Sequence, residues 1–286
     1  MPARGWRKPV VGDLDDPHGL IALVRRYVDA LRVKGYSAQS LVGTAGYLTM
    51  FTEWAFHRGV TRPAEVTKEL LQHYQRSLFD HRKPNGQPLT LSSQRVRLQK
   101  VRGFCKWLAK TDVLPFNPAS ELDLPRLERR LPRAVLSEKE VEQVLAMPDL
   151  TDPIGLRDRA IMEVLYSTGL RRAELAVLAT ADVDAERGTV TVRLGKGKKD
   201  RVVPIGSRAL MWVERYLDEV RPQLVAPPGD PALFLTERGA PLKPARLTQL
   251  MRRYVDMTDL GKTGACHIFR HLSPYTHLTL PTTSRV

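Results

Sequence analysis

The segment "LPFNPASELDLPRLERRLPRAVLSEKEVEQVLA" restricts this chain more than any other. Pro115, Pro118, Pro125 and Pro132 follow one another too closely for a helix to run through, because each removes a backbone donor and clashes with the turn before it. Arg126, Arg129, Arg130 and Arg133 stand among them, so the stretch reads as an extended basic linker. It ends where Ser137 and Glu140 spell the S-x-x-E capping box of a new helix. A chain of 286 residues divided near residue 133 leaves two pieces, each long enough to bury its own core. The expected organisation is a helical domain over 17–125, the linker over 126–136 and a second domain from 137.

Upstream of the linker the apolar spacing is helical throughout. Leu20, Leu23, Val24, Val28 and Leu31 form one face before Gly35. Ser37 then caps a second helix carrying Leu41, Ala45, Leu48, Phe51, Trp54 and Ala55, and a third runs from about Thr67 to Phe79. After "HRKPNGQP" a fourth helix turns Leu98, Val101, Cys105 and Leu108 inward. Arg95, Arg97, Lys100, Arg102, Lys106 and Lys110 are expected largely outward.

Downstream the character changes. "DPIGLRDRAIMEVLYSTGL" is a helix ended by Gly169, and "RRAELAVL" begins the next. In "GTVTVRLGKGKKDRVVPI", Val190, Val192 and Leu194 alternate before a Gly-Lys-Gly turn and "RVVPI" returns, which predicts a hairpin. Helices follow at about 207–222 and 244–258, with the short apolar "ALFLT" between them. The fold class is therefore mainly α in two domains, the second with a small β-sheet.

Charge narrows the function. With 45 Lys and Arg against 31 Asp and Glu, the net charge is +14, a field that favours polyanions. Residues 1–132 hold 22 basic and 12 acidic side chains and the rest hold 23 and 19, so the excess sits in the front half. Arg95, Arg97, Lys100, Arg102, Lys106, Arg126, Arg129 and Arg130 are the expected DNA contacts, since a face of one sign with few acids suits phosphate better than internal ion pairing. No apolar run is long enough to span a bilayer, the first residues lack a signal-peptide core, and two cysteines cannot build a disulfide framework. A cytoplasmic protein without membrane contact is expected.

Three basic elements in the second domain ask for one explanation. Arg171 follows Gly169, Lys196 sits at the hairpin tip, and His267 with Arg270 make an H-x-x-R pair one helical turn apart. A phosphodiester undergoing in-line transesterification gains charge on its nonbridging oxygens, and two guanidiniums can hold those oxygens bidentately without a metal. A lysine whose pKa is lowered by nearby cations can protonate the leaving oxygen, and a histidine can move or orient protons.

"STGLRRAELAVL", "VRLGKGKKDRVVPIG" and "HIFRH", in that order behind a basic four-helix domain, resemble the arginine motif, the hairpin lysine and the histidine–arginine motif of the tyrosine recombinases, the phage integrase family that includes XerC and XerD. The resemblance implies a SAM-like core-binding domain in front and the recombinase catalytic domain over 137–273. It implies that Arg171 and Arg270 clamp the scissile phosphate, Lys196 is the general acid on the 5′ oxygen, His267 assists proton transfer and Glu174 supports the Arg171 loop. It further implies a 3′-phosphotyrosine intermediate, no cofactor, and a homo- or hetero-tetramer acting on two sites in double-stranded DNA.

The end of the chain departs from that pattern. In relatives the second arginine is followed by more helices, a Gly-His segment and the tyrosine nucleophile. Here only 16 residues follow Arg270. Tyr275 is not assigned as the nucleophile, because Pro274 breaks the helix ahead of it. "YTHLTLPT" resembles a translated frame of a library adapter, so 274–286 is expected to be a non-native tail on a catalytic domain incomplete at its C-terminus. The chain is then expected to be inactive in cleavage, and a noncatalytic protein occupying recombination sites is the alternative. Cys266, His267, His271 and His277 match no zinc spacing, and no metal is expected.

Overall fold

The computed structural model describes residues 15–127, 136–193, 199–225, 229–262 and 264–270, with the Arg270 side chain left out. It falls into two compact units, Met1–Arg129 and Arg130–Val286. Among the described residues no helix is long and apolar enough to cross a membrane.

The first unit is built from α1 (Leu20–Val33), α2 (Ala38–Phe56), α3 (Lys68–Asp80) and α4 (Leu91–Lys110). Each of the last three begins at a hydroxyl cap: Ser37, Thr67 and Thr90 accept from the N–H groups of Ser40, Leu70 and Ser93. Phe51, Phe104, Leu48, Leu71, Leu98 and Leu108 fill the centre, and Phe51 meets Tyr74 edge-on at 5.0 Å. The inward set expected for α4 is buried, and Gln94 and Phe104 are buried beside it. Its cations divide differently: Arg102, Lys106 and Lys110 are exposed, whereas Arg95, Arg97 and Lys100 are half-buried. Arg95 turns its guanidinium to the carbonyl of Pro125 at 2.7 Å and so ties α4 to the segment leaving the unit.

The second unit is organised around α6 (Pro153–Thr168), which is buried on almost every side. Asp152 caps it with Pro153 at its first position, and Gly169 ends it in the left-handed region at φ 59°. Before it lies α5 (Glu138–Leu145) with the Ser137–Glu140 capping box, and after it the single turn α7 (Arg172–Leu175). The sheet is antiparallel in the order β1 (Val183–Asp184), β2 (Thr189–Val192), β3 (Arg201–Pro204), with Val192 opposite Arg201.

Beyond the sheet, α8 (Ser207–Arg215) passes through a π turn at Tyr216–Val220 into α9 (Arg221–Leu224). One helix was expected there. Pro222 has no N–H to give to the preceding turn, and the π turn shifts the register around it. Leu233, Phe234 and Leu235 of the apolar "ALFLT" stretch are buried, and isolated bridges join Ala179 to Ala232 and Leu235 to Pro241. The closing helices are α10 (Pro244–Asp256) and α11 (Cys266–Arg270), and α11 packs on α6 and α10.

Candidate active site

The turn from α6 to α7 is made by Thr168, Gly169 and Leu170. The Thr168 hydroxyl closes on the Val164 carbonyl at 2.6 Å, Gly169 takes the positive φ, and Leu170 plugs into the core. Arg171 therefore leaves the core as the N-cap of α7, with extended backbone at φ −74° and ψ 145°.

Glu174 fixes that exit. Its carboxylate, 7% exposed, accepts the Arg171 backbone N–H at 2.8 Å and the Arg171 Nη1 at 3.0 Å. Arg201, the first residue of β3, adds a fork: Nη1 to Oε1 at 3.0 Å and Nη2 to Oε2 at 2.8 Å. Burial pushes the Glu174 carboxyl up, but the hydrogen bonds from Arg201 and Arg171 prevail and hold it at about 2. Arg171 still keeps 42% of its side-chain surface in solvent.

The base of the hairpin is held on its other strand as well. Arg193 Nε donates to Asp182 Oδ1 at 2.7 Å, and the buried Asp182 also accepts the Ala179 N–H at 2.9 Å. Lys196 lies outside the described residues.

The helix of the H-x-x-R pair packs nearby. Cys266, Ile268 and Phe269 are buried and His267 is exposed on α11. Burial drives the Cys266 thiol up to about 11 against a smaller pull from the Arg172 guanidinium, so α11 lies within the field of the residue next to Arg171. A thiol held protonated is a poor metal ligand. Arg172 also donates to the Thr248 hydroxyl at 2.6 Å, which fastens α7 to α10. Arg270 ends α11. Lys262, just ahead of α11, reaches Glu140 in the α5 capping box at 2.7 Å. His271 and His277 lie outside the described residues.

In the first unit, Arg102 and Lys106 stand exposed one turn apart on α4, a helix with no acidic residue. A row of like charges at this spacing weakens an isolated helix and favours an anionic partner. Arg126 is exposed outside any helix or strand, and Arg129 and Arg130 lie outside the described residues.

Arg201 is the site residue that sequence reasoning missed. A basic residue at the start of a strand carries no signal, because its partner lies 27 positions earlier.

Known proteins resemble this chain over most of its length. The model of the phage integrase family matches residues 134–278. Tyrosine recombinase XerC 2 of Ralstonia nicotianae is 48% identical over 274 residues, covering 95% of this chain and 78% of the relative. Tyrosine recombinase XerD of Pseudomonas putida is 33% identical over 250 residues, covering 87% and 81%. Among solved structures, the Tn1549 transposon integrase in complex with circular intermediate DNA has a TM-score of 0.69 at 17% identity, covering 92% of this chain and 89% of that one. A lambda integrase tetramer bound to a Holliday junction has a TM-score of 0.66 at 18% identity, covering 90% and 70%.

Proposed function

The chain belongs to the phage integrase family of tyrosine recombinases, and from that membership we propose that it binds duplex DNA and holds one phosphate in a metal-free cationic clamp. Arg171 and Arg270 take the nonbridging oxygens, Lys196 protonates the 5′ leaving oxygen, and His267 assists proton transfer. The Arg171 turn carries this reading. A guanidinium anchored to a buried carboxylate, yet open to solvent, meets a phosphate already oriented and stabilises charge without reorganising.

Arg102, Lys106 and Arg126, with Arg129 and Arg130, supply the sequence-independent grip on the backbone. The DNA held by the structural neighbours supports a double-stranded partner, and the lambda integrase tetramer supports a homo- or hetero-tetramer on two sites. Tyr275 is the single tyrosine after Arg270 in the sequence, and it does not serve as nucleophile. The reading offered for these 286 residues is site occupancy without a 3′-phosphotyrosine.

Gel shifts with a random-sequence duplex library test the binding step. The expected result is enrichment of one sequence class that an excess of unrelated duplex does not displace. Equal retention of all sequences would overturn the reading.

A further inference from the structure

We propose that Arg201 is the positioning residue that keeps Arg171 available to a DNA phosphate, by neutralising Glu174 alongside it. The inference deepens the assignment of Arg171 to a phosphate and rests on it. An Arg171–Glu174 pair alone would be neutral, and its carboxylate would compete with the phosphate for one guanidinium. Arg201 changes that balance, because its fork occupies both carboxylate oxygens. Two guanidiniums then share one buried carboxylate, and a net positive charge is left at the turn.

The fold fixes Arg201 in that role. Its position is set by pairing with Val192 on β2, the strand that runs on to the Arg193–Asp182 pair. Each strand at the base of the hairpin therefore rests on a buried acid that also accepts a turn N–H, Asp182 from Ala179 and Glu174 from Arg171. A lysine could supply charge at position 201 but not the two parallel hydrogen bonds.

The test uses the duplex that the full chain selects from a random library, remade with one neutral methylphosphonate at successive positions. Wild type should lose about tenfold in affinity where Arg171 meets its phosphate, as expected for a charged hydrogen-bonded contact, and Arg171→Ala should be indifferent there. Arg201→Gln should lose most of that sensitivity while keeping its response at phosphates elsewhere. Glu174→Gln combined with Arg201→Gln should regain it, since no buried charge is left to compete. If Arg201→Gln does not fold, Arg201→Lys carries the same comparison: partial loss of sensitivity supports the proposal and full sensitivity overturns it. Full sensitivity in Arg201→Gln beside indifference in Arg171→Ala would overturn the role of Arg201 alone. Failure to select a duplex, or a response in Arg171→Ala equal to wild type, would overturn the Arg171 assignment and this inference with it.

Discussion

Replacing Glu174 by Gln removes the charge beneath the Arg171 turn with almost no change of shape. Burial favours the neutral acid, but hydrogen bonds from Arg201 and Arg171 hold the carboxyl at about 2 against an ordinary 4.5. Each unit of that displacement corresponds to about 1.4 kcal/mol, which sets an upper bound of about 3.5 kcal/mol. Both guanidiniums reach solvent, and screening reduces the figure to about 2 kcal/mol. The folded state binds this proton less readily than the unfolded one. Its stabilisation is therefore complete above about pH 4.5 and drains away as pH falls toward about 2. Urea unfolding of wild type and Glu174→Gln across that range should show a gap of about 2 kcal/mol at neutral pH that narrows in acid. A gap of equal size at about pH 7 and about pH 3.5 would refute the reasoning, because the loss would then come from packing rather than charge.

Gly264→Ala should destabilise the second unit by about 1–3 kcal/mol, read as a lower thermal midpoint. The added methyl would stand 2.3 Å from Cγ2 of Ile268, a stiff and fully buried side chain of α11, and an unchanged midpoint would contradict that packing. Arg102→Ala with Lys106→Ala should leave unfolding unchanged but lower the slope of log affinity against log salt by about 2. Arg95→Ala should instead lower stability, because it frees the Pro125 carbonyl; a fall in salt slope without a loss of stability would reverse its assignment.

The parts of the structure that were legible beforehand depend on neighbours in sequence. Ser137 and Glu140 are three apart, Gly169 closes its own helix, and the inward face of α4 repeats every turn, so local chemistry determines each. Glu174 belongs to this class, since it reaches back to the N–H of Arg171 three residues earlier. What was not legible depends on distant partners. Arg95 looked like a surface cation until Pro125, 30 positions on, gave it a carbonyl. The strand Val183–Asp184 is too short to alternate, and it exists because β2 offers an edge. Arg201 combines both difficulties, being an ordinary strand residue whose meaning lies in Glu174.

The proposed phosphate clamp of Arg171, Lys196, His267 and Arg270 should support strand cleavage once a tyrosine nucleophile is supplied. It is tested most directly by replacing the residues after Arg270 with the corresponding C-terminal segment of the Ralstonia relative. The chimera and the original chain are then incubated with a nicked duplex that traps the cleaved strand. The chimera should form a denaturant-resistant DNA–protein adduct through a 3′-phosphotyrosine, lost on Arg171→Ala or Lys196→Ala and absent from the 286-residue chain. An adduct formed by the original chain, or one that survives Arg171→Ala in the chimera, would contradict that expectation.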